Sequence, residues 1–108
     1  MMSKTKCVIR LYVLSAQNIV SKDSGKGLES ASDPYLKLKI NGEVVDERQN
    51  HLIDETNPEF NKMYEFSSNF PGSSPLTIQV WDFDPHFGDD FIGETVIDLE
   101  DRFFSTEW

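Results

Sequence analysis

The sequence predicts an all-β domain, an antiparallel β-sandwich, and three observations support this fold class. Short segments alternate apolar and polar residues with the period of two that a half-buried strand requires. Turn-forming residues separate these segments, and no window of about 11 residues sustains the apolar spacing of a helix. The length of 108 residues, 38% of them hydrophobic, suits one domain with one core. We therefore interpret residues 1–108 as a single domain with its core in residues 4–104.

Six strands can be placed along the chain from this alternation. Residues 7–14 form the first, and residues 35–40 form the second, with Leu36, Leu38 and Ile40 on one face. Asn41-Gly42 is typical of a two-residue hairpin turn, so residues 43–50 should pair back as the third strand. The remaining strands are expected at residues 60–66, 76–81 and 92–99. The best helical segment is a single turn at residues 99–104.

The charge of the chain argues against nucleic acid as a partner. Nineteen acidic residues against ten basic residues give a net charge of −9. Binding to nucleic acid depends on Lys and Arg side chains that displace the counterions of phosphate groups. We therefore expect no nucleic-acid partner.

The cysteine content and the hydropathy pattern indicate a cytoplasmic protein. Cys7 is the only cysteine, which excludes an intrachain disulfide and a cysteine-based zinc site and favours a reducing compartment. The most apolar N-terminal stretch, residues 7–14, is interrupted by Arg10 and is much shorter than the roughly 20 residues of a membrane-spanning helix. The sequence thus predicts neither a signal peptide nor a transmembrane segment.

Four carboxylates lie close together directly after the fifth predicted strand: Asp82, Asp84, Asp89 and Asp90. Two carboxylates about 4 Å apart repel by roughly 4 kcal/mol at an effective dielectric constant near 20. Neither Lys nor Arg occurs between Trp81 and Arg102, so the compensating charge is not local in sequence. Calcium suits this composition because it takes six to eight oxygen ligands in irregular geometry.

The acidic segment has two other interpretations. An EF-hand that begins at Asp82 would need Gly where Phe87 stands and Glu where Gly93 stands, so that interpretation is excluded. A solvated acidic loop that only keeps the protein soluble stays open as an alternative.

Catalytic motifs are not evident, and we expect that the protein is not an enzyme. The sequence has no Gly-rich phosphate loop, no G-x-S-x-G and no H-E-x-x-H. Asp82 and Asp84 are too close on one loop to flank a sugar bond from opposite sides. Cys7 belongs to an apolar strand, where a thiolate is disfavoured.

Four motifs, in order and spacing, resemble the C2 domain family. They are Ala31-Ser-Asp-Pro-Tyr-Leu-Lys-Leu38, Thr56-Asn-Pro-Glu-Phe-Asn61, Val80-Trp-Asp-Phe-Asp84 and Asp90-Phe-Ile-Gly-Glu94. Residues 63–66 and 94–103 look most like a C2 domain of the ferlin type, the multi-C2 proteins of vesicle fusion and membrane repair. The resemblance implies an antiparallel Greek-key sandwich of eight strands. Because six are evident, we expect a domain truncated at its C-terminal strands, or an open edge that pairs with a neighbour as an edge-strand dimer.

The resemblance also implies a calcium site made of five carboxylates at one end of the sandwich. Asp33, Asp82, Asp84 and Asp90 match the ligand positions of calcium-binding members directly. The fifth position, in the first loop, is best matched by Asp23, with Glu29 as its substitute. Asp89, which precedes the last ligand position, is expected to point to solvent.

Calcium at these positions implies binding to anionic phospholipid membranes, and the loop tips supply three expected membrane contacts: Phe87, His86 and Lys26. Some relatives bind phosphoinositides on a concave face, and Tyr35, Lys37 and Trp81 match that second site. The neighbouring strand does not complete it, since Arg48 and Asn50 stand there among acidic residues.

The expected protein is a cytoplasmic module, peripheral to membranes, of a larger membrane-trafficking or membrane-repair protein. Its other partners would be further domains of that parent protein. The alternative is a protein-interaction domain that is independent of calcium or uses calcium only as a structural ion.

Overall fold

The computed structural model describes residues 5–17, 32–70, 72 and 75–99, and within them the chain is built almost entirely of β-strands. The strands are β1 (Thr5–Ser15), β2 (Pro34–Ile40), β3 (Glu43–Asp46), β4 (Glu59–Phe70), β5 (Leu76–Asp82) and β6 (Asp90–Ile97). A short 3-10 turn at Arg48–Asn50 follows β3. The predicted all-β class is confirmed.

The strands form two antiparallel sheets that face each other across the core. One sheet pairs β1 with β4, and the other has the order β3-β2-β5-β6. The buried core consists of Leu36, Leu38, Ile40, Phe66, Leu76 and Leu99. The alternation in β2 has the expected effect, because its even-numbered apolar side chains point into this core and bury their surface between the sheets.

The hairpin between β2 and β3 forms where Asn41-Gly42 predicted it. Both residues have positive φ, 50° and 80°, as a turn of this type requires. The Asn41 side-chain amide also donates a hydrogen bond of 2.8 Å to Ser68 Oγ on β4. The turn is thereby tied to the opposite sheet.

We expect Gly42→Ala to lower the free energy of unfolding by about 1–2 kcal/mol, because a side chain in the left-handed region is strained. Gly93→Ala is the matched control: a Cβ at either glycine meets no atom within 4 Å, but only Gly42 has positive φ. Urea denaturation measures both changes. Equal destabilisation by the two substitutions would contradict the role given to the turn.

Strand β3 is shorter than predicted, and the difference places Arg48. The expected strand at residues 43–50 ends at Asp46, whose carboxylate accepts a hydrogen bond of 3.0 Å from the Arg48 backbone N–H. Asn50 N–H then donates to Glu47 O at 2.8 Å. Asp46 therefore ends the strand by offering the backbone a local hydrogen bond that competes with sheet pairing.

The end of the larger sheet that lies opposite the Asn41-Gly42 turn carries three aspartates. Pro34 pairs with Asp82, and Asp82 pairs with Asp90, so three neighbouring strands end or begin together. Asp33 directly precedes β2. The register between β5 and β6 shifts at Trp81, where Ile92 has no direct partner, and a bulge of this kind bends the strand end beside a loop.

The extent of the domain, its truncation and the edge-strand dimer stay predictions. The expected turn of helix at residues 99–104 lies outside the described residues except for Leu99, which is part of the core. Within the described ranges, no helix is long and apolar enough to cross a bilayer.

Candidate metal centre

Asp33 and Asp82 are held against each other where β2 begins and β5 ends. The Asp33 backbone N–H donates to Asp82 Oδ1 at 2.9 Å, and Phe83 N–H donates to the Asp33 carbonyl at 2.9 Å. The Asp82 residue is only 9% exposed. Asp33 also accepts a hydrogen bond of 2.9 Å from the Asp54 backbone N–H, which ties the loop at residues 51–58 to the same place.

Asp84 shapes the loop between β5 and β6. Its Oδ1 accepts hydrogen bonds from the backbone N–H groups of His86 and Phe87 at 2.9 and 3.0 Å. The Gly88 N–H donates to the Asp84 carbonyl at 3.1 Å, and Gly88 has a φ of 92°. The tip is thus a tight turn organised around one carboxylate, with Phe87 89% exposed and His86 exposed.

No basic side chain of the described residues forms an ion pair with three of these carboxylates. Among the described residues, the ion pairs involve Glu65, Asp46 and Asp89, and none involves Asp33, Asp82 or Asp84. An all-oxygen donor set of this kind suits a hard cation such as calcium. The donor chemistry of the strand ends therefore fits the expected ion.

The described carboxylates do not by themselves form a metal-binding group. In the part of the chain that the structure describes, no three His, Cys, Asp or Glu side chains are arranged as a metal-binding group. The expected residues Asp23, Glu29 and Lys26 lie outside the described residues. The structure therefore brings Asp33, Asp82 and Asp90 to adjacent strand ends, and Asp84 to the loop that follows, without showing a finished coordination shell.

Asp89 does not point to solvent, so that expectation is wrong. Its side chain is 12% exposed and forms an ion pair with Arg48, with Nε 2.7 Å from Oδ2 and Nη2 3.3 Å from Oδ1. The Tyr35 hydroxyl donates to Oδ2, and the Asp84 backbone N–H donates to Oδ1 at 2.8 Å. Arg48, 41 positions earlier in the chain, supplies the positive charge that balances the Asp89 carboxylate.

The same contacts determine the protonation of this group. Burial by itself would raise the pKa of Asp89, but hydrogen bonds from Arg48, the Asp84 backbone and Tyr35 outweigh it and lower the pKa to about 2. Burial and the bond to Asp89 raise the pKa of Tyr35 far above its ordinary value, and the bond to Asp89 raises the pKa of Arg48. At neutral pH an ionised Asp89 therefore accepts hydrogen bonds from the protonated Tyr35 hydroxyl and the protonated Arg48 guanidinium.

Two ring contacts reinforce the link between the 3-10 turn and the loop. The Arg48 guanidinium lies 4.5 Å from the centroid of the Phe83 ring, and the His51 ring stacks on Phe83 at 3.7 Å with an interplanar angle of 6°. Phe83 stands between Asp82 and Asp84 in the chain. Sequence reasoning missed Arg48, His51 and Phe83 as a group because nothing in their spacing brings them together.

The structure corrects one member of the expected phosphoinositide site. Tyr35 is 1% exposed and its hydroxyl is bound to Asp89, so its ring is not available to a ligand. Lys37 Nζ lies 4.3 Å from the Trp81 ring centroid and 3.9 Å from Asp46 Oδ2. Lys37 and Trp81 stay a prediction for this second site, without Tyr35.

Comparison with known proteins places the whole arrangement in one family. The family model of the C2 domain matches residues 7–107. The chain is 38% identical over 93% of its length to myoferlin of Xenopus tropicalis and 36% identical over 93% to human myoferlin, and it spans 5% of the length of each. A solved structure of two C2 domains of extended synaptotagmin 2, calcium bound, has 31% sequence identity and a TM-score of 0.72, over 85% of this chain and 34% of that one. The predicted similarity to ferlins is confirmed, and the chain belongs to the C2 domain family.

Proposed function

We propose that this C2 domain binds calcium at the strand ends around Asp82 and, in that state, binds anionic phospholipid membranes. The observation that carries the proposal is the set of carboxylates at adjacent strand ends, of which Asp33, Asp82 and Asp84 have no ion-pair partner among the described residues. The similar structure of two C2 domains of extended synaptotagmin 2 was solved with calcium bound.

Asp33, Asp82, Asp84 and Asp90 would hold the ion, and Asp23 would complete the site from the first loop. In Asp33, Asp82 and Asp84 the described hydrogen bonds engage Oδ1 and leave Oδ2 for a cation. The bound ion would supply positive charge where the loops otherwise present carboxylates. The protein's part is to hold these carboxylates together at one edge of the larger sheet.

Membrane binding then follows from a local reversal of charge. Each calcium ion adds two positive charges, so two ions would change the net charge from −9 to about −5, with the whole change at the loops. Lipid phosphate or carboxylate oxygens could complete the coordination shell. The domain would then act without catalysis as a calcium-regulated module of a longer protein, at the cytoplasmic surface of membranes.

The direct test is calcium titration by isothermal calorimetry, followed by liposome flotation with and without phosphatidylserine. We expect heat of binding, and flotation that requires both calcium and the anionic lipid. Absence of calcium binding in the calorimeter would overturn the proposal.

Phe87 is the expected hydrophobic anchor, because it is 89% exposed at the loop tip. Burying such a side chain in lipid contributes about 1.5–3 kcal/mol. Phe87→Ala should therefore weaken calcium-dependent liposome binding by roughly 10- to 100-fold while the calorimetric calcium affinity stays the same.

The control for Phe87→Ala is Val44→Ala. Val44 is 59% exposed, but it lies beside the Asn41-Gly42 turn at the opposite end of the sheet. Its truncation should leave liposome binding unchanged. If Phe87→Ala behaves like Val44→Ala, the tip does not insert.

A protein-interaction role is the second candidate, and one surface favours it. The outer face of the β1–β4 sheet exposes Val8, Tyr12, Leu14 and Met63 by half or more. Tyr12, Leu14 and Met63 are neighbours on this face, and the Arg10–Glu65 ion pair separates them from Val8. A cluster of exposed apolar residues often marks a protein interface. Calcium binding without liposome binding in the experiments above would favour this role.

A further inference from the structure

We propose that Arg48 is a positioning residue for the calcium centre and that, through Asp89, it holds the β5–β6 loop in the shape that places Asp84. This inference rests on the proposed function, since it explains how that site is prepared for its ion. We call the contacts among Tyr35, Arg48 and Asp89 the latch.

Backbone hydrogen bonds attach the turn that carries Arg48 to strand β2. The backbone on either side of Arg48 is bonded to β2: Glu47 N–H donates to the Leu36 carbonyl at 2.9 Å, and Leu52 N–H donates to the Pro34 carbonyl at 2.9 Å. Leu36 and Pro34 are fully buried. The turn that carries Arg48 is therefore fixed to the most buried strand of the larger sheet.

Asp89 connects the turn that carries Arg48 to the β5–β6 loop. Its Oδ2 accepts from Arg48 and Tyr35, while its Oδ1 accepts from the backbone N–H of Asp84 at 2.8 Å. Asp90, another proposed ligand, directly follows Asp89 in the chain. One carboxylate thus restrains the backbone of Asp84 and is covalently next to Asp90.

Phe83 provides a second attachment. Its ring contacts both the Arg48 guanidinium and the His51 ring, and it lies between Asp82 and Asp84. Both ends of the loop are therefore attached to the turn at residues 48–51. Because ordering a flexible loop costs conformational entropy, a loop that is already ordered should bind its ion more tightly.

Charge repulsion alone predicts that Arg48 weakens calcium binding, whereas the latch predicts that Arg48 strengthens it. The calcium affinity of an Arg48 variant therefore distinguishes the two. Arg48 is a positive charge near a proposed cation site, so its removal by charge alone should strengthen calcium binding. If the latch positions the loop, Arg48→Gln should instead weaken calcium binding, by about 3- to 10-fold. Arg48→Lys, which keeps the charge but not the two-pronged contact, should restore the affinity in part.

The experiment combines calorimetry with amide hydrogen exchange in calcium-free protein. In Arg48→Gln, the amides of His86, Phe87 and Gly88 should exchange about tenfold faster, whereas the amides of β2 should keep their wild-type rates. Arg10→Gln is the matched control, because Arg10 pairs with Glu65 at 3.7 Å on the other sheet. It should change neither exchange at the loop nor calcium affinity.

The outcomes distinguish failure of the latch from failure of the proposed calcium binding. Unchanged loop exchange, or an equal or tighter calcium affinity in Arg48→Gln, overturns the latch. If wild-type protein binds no calcium, the proposed function fails, and the positioning role falls with it even if faster loop exchange shows that Arg48 orders the loop. Weaker calcium binding with faster loop exchange and a wild-type β2 supports both.

Discussion

Replacing Asp82 and Asp84 together by asparagine is expected to abolish calcium binding and to leave the domain folded. Both side chains use one carboxylate oxygen to accept backbone hydrogen bonds, and an asparagine carbonyl can accept the same bonds. The substitution removes two negative charges from the centre of the site, which also relieves repulsion in the calcium-free protein.

The effect should be measured by calorimetry and by thermal denaturation with calcium. Calcium at 100-fold its dissociation constant should raise the free energy of unfolding of the wild type by about 2.7 kcal/mol. For a domain of this size, about 4–8 °C in Tm corresponds to each kcal/mol. The Asp82→Asn/Asp84→Asn variant should show neither the heat nor the rise in Tm.

A double variant with the same change in net charge is the control. Glu43→Gln/Glu65→Gln removes two exposed carboxylates, one next to the Asn41-Gly42 turn and one on the other sheet. It should bind calcium like the wild type. Retained calcium binding in the aspartate variant would mean that the ligands lie elsewhere, and loss in both variants would point to net charge rather than a site.

Leu38→Ala should be among the most destabilising single substitutions in the domain. Leu38 is 0% exposed, in the middle of β2, with Val45 and Ile78 as its neighbours on the adjacent strands. Truncating such a side chain removes buried apolar surface and leaves a cavity, at a cost of about 2–5 kcal/mol. This is a large share of the about 5–15 kcal/mol by which a typical domain is stable.

Urea denaturation of Leu38→Ala and of Leu14→Ala tests this expectation with the same chemical change at two sites. Leu14 is 63% exposed on the smaller sheet, so its truncation should change the free energy of unfolding by no more than about 0.5 kcal/mol. Similar losses at both positions would contradict the central place of Leu38 in the core.

The strands and the core could be predicted from sequence because their signals are local. The alternation in β2 places Leu36, Leu38 and Ile40 in the core, and Asn41-Gly42 has the positive φ values of its turn. Strand ends were less accurate: β3 ends at Asp46 because a side chain there bonds the following backbone, and β4 runs from Glu59 to Phe70 because its pairing with β1 continues beyond the alternating segment.

The sequence by itself determined that the domain is a β-sandwich of the C2 family and that carboxylates follow its fifth strand, since both depend on residues that are near one another in the chain. Only the tertiary structure decided what Asp89 and Tyr35 do. Asp89 looked like a solvent-exposed neighbour of the site, yet it is bonded to Arg48, 41 positions away, and to a Tyr35 that is 1% exposed. The physical reason is that charge compensation acts through space, and the partner of a carboxylate is chosen by the packing of strands and turns rather than by spacing along the chain.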